Sequence, residues 1–259
     1  MSQVDVPLAR SGFGQTRRID KWWVQPLLVF SGLTIFIIYA TWAALQGQYF
    51  RFGPYLSPFY SPELIGPVGQ SWFGPAPHWL PVWVTAAVLI LWAPGGFRVT
   101  CYYYRGAYYK AFWADPLSCT VGEPRKKYLG ERSFPLILQN VHRYFLYLGL
   151  LFLVFLAKDL WNSFWFNGRF GVRVGTLVLL VNIVLLASYT FGCHAFRHLV
   201  GGIRDRLSGA PARMQVYNCV SCLNRRHMIF AWASLYMVAF TDFYIRMCAM
   251  GIWRDGRIF

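Results

Sequence analysis

Four of the five histidines in this chain stand where long apolar runs meet basic connections: His142, His194, His198 and His227. His142 lies in FPLILQNVHRYFLYLGLLFLVFLAKD (134–159), whose opening turns also hold Gln139, Asn140 and Arg143. The run can cross a bilayer, which takes about 20 apolar residues. An imidazole and a guanidinium inside such a helix are costly unless paired, liganded or facing water. His194 and His198 are four apart and share a helical face, and His227 opens a further apolar run. Such a set can hold a metal or cofactor, most simply a b-type haem between two histidines of different helices. Depth favours His142 with His194, and His227 is the third candidate ligand. The plainer reading is a group of interfacial histidines bonding carbonyls, lipid phosphates or quinone.

The same region carries a C-x-x-C pair, Cys219 and Cys222, near Cys193, His194, His198 and His227. Two cysteines and two histidines suit zinc or a Rieske-type iron–sulfur centre. The usual Rieske pattern, with a histidine inside each cysteine motif, is missing. A second polar group joins Lys158 and Asp159 to Asp242 and Arg246, the latter two at i,i+4 spacing. It reads as an ion-paired structural cluster; the sharper alternative is a proton path. The tyrosines of CYYYRGAYY (101–109) read as packing or interface residues, or else as a docking surface for a soluble partner.

The elements that position these residues follow from composition. The chain is 56% hydrophobic and 14% charged, where soluble domains carry roughly 25% charge, so it is a membrane protein. Five apolar spans are expected, at 24–45, 79–97, 134–159, 174–199 and 227–250, giving an all-α, five-helix membrane bundle. An N-terminal arm (1–21) precedes this domain (22–250) and a short tail (251–259) follows it. Trp22 and Trp23 mark an interface. Residues 46–78 are too rich in proline for a regular helix and read as an ordered, aromatic outer loop.

Lysine and arginine gather in the arm, in segment 98–133 (with EPRKKYLGER) and around the 200–226 connection, including Arg204 and Arg206. The other side offers Arg51, Arg169, Arg173, Arg254 and Arg257. That asymmetry places the N-terminus and both large basic connections in the cytoplasm. It also accounts for the net charge of +15 without nucleic acid, because the basic residues lie between spans. All cysteines but Cys248 then lie on or near the reducing side, against a disulfide framework.

The strings FPLILQNVHRYF, CYYYR–AYY, YLSPFYSP, TLVLLVN and CHAFRH together resemble the single-chain, five-helix membrane anchor of bacterial succinate dehydrogenase/fumarate reductase, respiratory complex II. The resemblance covers most of 22–250. It implies a multi-pass protein of the bacterial inner (plasma) membrane. An iron–sulfur subunit would dock on its cytoplasmic face, beside a flavoprotein subunit with FAD that oxidises succinate. Electrons would pass through those iron–sulfur clusters to menaquinone or ubiquinone in this chain, with haem b in many members and absent from some. A higher oligomer of the complex is compatible with it. The quinone belongs near the cytoplasmic end, where candidate donors to its carbonyls are His142, Arg143, Tyr144, Arg197, His198, His227 and Trp232. The competing readings are a free-standing b-type cytochrome or transmembrane quinone reductase, and a haem-free transporter. The first wants histidines near both faces and finds only His78 on the outer side; the second wants broken helices around a midplane site.

Overall fold

The computed structural model describes residues 12–259 except 69, 115, 126–131, 135, 167 and 203–208. The first part of the arm, and Lys126, Lys127, Arg204 and Arg206 of the basic connections, lie outside the described residues. The chain divides into two compact units, 1–35 with 102–139 and 36–101 with 140–259.

In the first unit the arm is laid along segment 118–122. Gly14 N–H donates to the Gly122 carbonyl at 3.0 Å, Gly122 N–H donates to the Gln15 carbonyl at 2.8 Å, and the Arg18 guanidinium reaches Ser118 Oγ at 2.9 Å. Arg18 also grips Asp20 and holds that carboxyl below its ordinary pKa. Where the sequence suggested only a polar connection, helix α4 (Tyr102–Trp113) forms. Its Tyr104 and Tyr109 are buried, its Arg105 lies 4.5 Å over the Tyr102 ring, and Phe112 packs 4.9 Å from Phe30. Tyr104 and Tyr109 therefore pack inward, while Tyr102 is 66% exposed. Phe30 belongs to helix α1 (Val24–Gln46), as expected for the first span.

The second unit is built on helices α3 (Trp92–Thr100), α5 (His142–Asn162), α6 (Val174–Phe191) and α9 (His227–Ala249). On α9, Ala231, Ser234, Leu235, Val238, Thr241, Asp242 and Ile245 are buried. They follow the three- and four-residue steps of one helical face. Among the described residues four helical segments are long and apolar enough to cross a membrane: Val24–Gln46, Leu136–Asn162, Val174–Phe191 and His227–Ala249.

The expected second span is the exception. Residues 79–85 are turns, held off the helix by Pro81, and Thr85 caps α2 (Ala86–Ile90), which runs through Leu91 into α3. From Ala86 to Thr100 the rise is only about 22 Å at 1.5 Å per residue. The expected fourth span is also divided: α6 ends at Phe191, and α7 (His194–Gly201) begins after Gly192 and Cys193. Asn224 Nδ2 donates to the Gly192 carbonyl at 2.8 Å, fixing the break. The basic 200–226 connection contains a further helix, α8 (Pro211–Arg225).

Loop 46–78 is sunk into this unit along Tyr55–Glu63, while Val68, Trp72 and Phe73 are exposed. It makes a two-residue hairpin, β1 (Arg51–Phe52) with β2 (Tyr55–Leu56), and a 3-10 turn at Pro58–Tyr60. A second such hairpin, β3 (Trp165–Phe166) with β4 (Arg169–Phe170), joins α5 to α6. Tyr55, Ser57, Phe59, Tyr60, Ser61 and Glu63 are all buried. Asp242 is what holds the loop: it accepts from Tyr39 Oη at 2.6 Å, from Ser57 Oγ, and from Arg246 Nε at 2.7 Å. Arg246 donates onward to the carbonyls of Gln48 and Ala43, each at 2.8 Å. Every polar atom of this pair has a partner, which is what a buried charge requires. In the tail, Asp255 accepts from Gly175 N–H and Tyr244 Oη at 2.9 Å and from Tyr55 Oη at 2.8 Å, closing the first turn of α6.

Candidate functional site

The end of α3, the start of α5, the α6–α7 break and the start of α9 meet at one end of the second unit. Phe97, Thr100 and Cys101 follow the three- and four-residue steps of one helical face and are buried. His142 is the first residue of α5, behind a 3-10 turn at Leu136–Val141. Helices α3 and α5 approach closely because Gly96 has no side chain: a Cβ there would stand 2.1 Å from the Phe145 ring. Cys193 is 1% exposed in the α6–α7 break, and His227 opens α9.

These residues form two contacts between a thiol and an imidazole. His142 Nε2 is 2.9 Å from Cys193 Sγ, and His227 Nε2 is 3.5 Å from Cys101 Sγ. The Thr100 hydroxyl donates to the Gly96 carbonyl at 2.7 Å, so towards His142 Nδ1, at 2.9 Å, it acts as acceptor. That assigns the ring proton to Nδ1 and turns the Nε2 lone pair to Cys193, as for a histidine oriented to ligate a metal. Each imidazole lies flat on an aromatic ring. Phe97 stacks on His142 at 4.8 Å and 3°, Tyr189 on His227 at 4.9 Å and 14°, and Phe97 meets Tyr189 edge-on at 5.6 Å. His227 Nδ1 is buried with no hydrogen-bond partner among the described residues.

Of the expected pair His142 and His194, the first is buried and the second is not. His194 begins α7 and is exposed, its ring 6.5 Å from that of the equally exposed His198. Both nitrogens of His142 meet polar neighbours, Thr100 and Cys193, and its face is covered by Phe97. Cys219 and Cys222 are exposed on α8 and meet neither imidazole of these two contacts. Among the described residues no three His, Cys, Asp or Glu side chains converge as a single metal ion needs. The remaining anticipated residues are dispersed. Arg143 and Tyr144 are exposed. Arg197 braces α7 on α8 through Ser221 Oγ at 3.1 Å and Tyr217 Oη at 2.9 Å. Trp232 stacks on Tyr236 at 5.8 Å.

Beside the thiol–imidazole cluster is an apolar cavity of about 390 Å³, walled by α1 from Phe36 onward, Pro58 and Phe59 of the buried loop, and faces of α2, α3, α5, α6 and α9. Phe97 and Tyr189, the rings that cover the two histidines, both line it. Arg98 lies at the same end, 4.6 Å over Tyr189, and donates to Ser234 Oγ at 3.0 Å and to the Ala231 carbonyl at 3.3 Å. Cys101, Cys193 and Arg98 were missed as site residues. Their signal was positional: each ends or follows an apolar run on the side where the histidines gather.

The family described as actinobacterial succinate dehydrogenase subunit SdhC matches residues 24–251. A chain of the solved Mycobacterium smegmatis Sdh1 complex in the apo form is 42% identical, with a TM-score of 0.87 over 94% of each chain. No curated protein matches. A multi-pass helical membrane protein, this chain belongs to the actinobacterial SdhC family of succinate dehydrogenase membrane-anchor subunits.

Proposed function

We propose that this chain anchors a succinate dehydrogenase in the bacterial plasma membrane and carries electrons from its iron–sulfur subunit to a membrane quinone. The cluster of Cys101, Cys193, His142 and His227 carries the proposal. It is a set of soft and borderline donors, three of them buried and His227 half-buried, in a chain whose family serves a redox enzyme. Thr100 orients one imidazole and aromatic rings clamp both. Two thiols with two imidazoles suit a Rieske-type [2Fe–2S] centre, which divides four ligands between two irons and so needs no three of them at one point. When bound, such a centre accepts and passes on single electrons, at a potential raised by its imidazole ligands.

The basic residues support a cytoplasmic site for the cluster and for docking. Arg197, Arg213, Arg225 and Arg226 lie on or beside α7 and α8, which follow the helix ends where the cluster forms. The N-terminus is then cytoplasmic, and the short α2–α3 segment completes a fifth crossing with the buried loop filling the space it leaves. The partners are the flavoprotein and iron–sulfur subunits, and the complex purified through a tag on this chain tests that. Both partners should co-elute, and Cys193→Ser should abolish the electron paramagnetic resonance of one reduced two-iron centre while the partners' own centres remain. A chain that purifies alone overturns the anchor assignment. An unchanged spectrum in Cys193→Ser overturns the cluster.

A further inference from the structure

We infer that a polar pocket at the end of α5 far from His142 seats the headgroup of phosphatidylethanolamine, a phospholipid that carries an ammonium as well as a phosphate. Such a site requires only that the chain span a membrane, not that it carry electrons. The pocket, of about 130 Å³, lies between the buried loop and the last turns of α5. Its Asp159 is about 26 Å along that helix from His142, at ~1.5 Å per residue. Four charged side chains line the pocket, two of each sign: Arg51 and Lys158, Glu63 and Asp159. Arg51 pairs with Glu63, which is buried, yet Glu63 Oε1 and Arg51 Nε have no hydrogen-bond partner among the described residues. Asp159 is half-buried and accepts from Ser61 Oγ on Oδ2, while Lys158 is exposed. Gln70 and Asn162 add two amides.

Charge decides the class of ligand. Two cations and two carboxylates cancel, so a lone ion of either sign meets repulsion as well as attraction. A zwitterion is complementary to both. Its phosphate takes Lys158 and the Arg51 guanidinium, side chains that bind phosphate as a point charge and as a planar fork. Its ammonium takes Asp159, on the oxygen that Ser61 does not occupy. Position makes the zwitterion a lipid. Leu151, Val154 and Lys158 follow three- and four-residue steps along one face of α5. Leu151 and Val154 are 47% and 64% exposed, inside a segment long and apolar enough to cross a membrane. An acyl chain can therefore lie along that face while its headgroup fills the pocket. Trp72, an exposed residue of the pocket wall, meets Phe155 edge-on at 5.2 Å, and Trp161 is exposed at the end of the same helix. Indole rings favour the depth of lipid headgroups.

The test uses the full chain purified in detergent with the subunits that accompany it, stripped of lipid. It is titrated with phosphatidylethanolamine, phosphatidylcholine or phosphatidylglycerol of the same acyl chains, with bound lipid counted by native mass spectrometry and melting followed in parallel. Phosphatidylethanolamine should bind tightest and raise the melting midpoint as its concentration rises. The choline lipid, which has no N–H donor, and the glycerol lipid, which has no cation, should bind about tenfold more weakly, the loss of one charge-assisted hydrogen bond. Lys158→Leu should weaken phosphatidylethanolamine by a similar factor. Asp159→Asn, which can still accept from Ser61, should erase the preference for ethanolamine over choline. Asn162→Trp should fill the pocket from an exposed position, and it decides the matter should Asp159→Asn fail to fold. Equal binding of the three lipids by wild type would overturn the inference, as would wild-type ethanolamine-lipid affinity in both Lys158→Leu and Asn162→Trp. Free phosphoethanolamine binding as tightly as the lipid would also overturn it, by making the occupant a soluble zwitterion. Failure of the redox reading shows separately, as a chain that purifies without partners and still prefers phosphatidylethanolamine.

Discussion

Removing Asp242 should destabilise the protein more than any other single loss of a carboxylate among the described residues, and removing Arg246 with it should restore much of that loss. Asp242 is 0% and Arg246 1% exposed, at 2.7 Å, inside a helix expected to cross the membrane. Asp242→Ala leaves the guanidinium with two carbonyls and no counter-charge, and strips Tyr39 and Ser57 of an acceptor. Breaking one side of a buried pair costs about 3–5 kcal/mol, whereas replacing both sides by apolar groups is often close to neutral. Asp242→Ala/Arg246→Met should therefore fall short of the sum of the singles by about 3 kcal/mol. The assay is thermal unfolding of the detergent-solubilised complex followed by tryptophan fluorescence. The single variant should melt roughly 10 °C lower, taking about 2–4 °C per kcal/mol for a chain of this size. Additive effects in the cycle would refute the argument, because they would mean the two charges are solvated independently. Asp242→Asn, where it assembles, should retain quinone turnover. Loss of turnover in a normally melting Asp242→Asn complex would instead make this pair a proton path.

Other outcomes follow from the same geometry. Gly175→Ala should lower stability by about 1–3 kcal/mol, the usual cost of overpacking. Its Cβ would stand 2.5 Å from the ring of Tyr55, which is fully buried and tied to Asp255; a melting curve checks it. Cys219→Ser/Cys222→Ser should leave iron content and turnover unchanged, since both thiols are exposed on α8; metal analysis would expose a contrary role. Thr100→Val should weaken the cluster without removing a ligand, because His142 loses the acceptor that fixes its ring proton. A shifted spectrum or midpoint potential of the proposed two-iron centre, at normal assembly, is the expected sign. Chelation of the isolated complex should bleach that centre more slowly in wild type than in Thr100→Val, as outer partners hold ligands in place.

The membrane class and the positions of four long spans were legible in the sequence. Each is a one-dimensional property, because run length sets what can cross a bilayer. The histidines were legible as a group for the same reason, since all four sit at span ends. Which of them meet other donors was decided in three dimensions. Depth along the chain favoured His194, but Gly192 and Cys193 break the helix and turn His194 outward, while His227, expected nearer the surface, packs under Tyr189. C-x-x-C drew attention to Cys219 and Cys222, yet the thiols that meet imidazoles are Cys101 and Cys193, far apart in sequence. No local spacing can reveal such a set, because its members come from four separate segments. Loop 46–78 shows the same division. Its prolines forbade a helix, but only the packed fold shows that Asp242 and Arg246 hold it inside, where its Pro58 and Phe59 wall the cavity. Sequence alone determined what the chain is dissolved in and which end is polar. Tertiary packing decided which donors converge, since convergence depends on helix breaks and close approaches that a linear pattern does not encode.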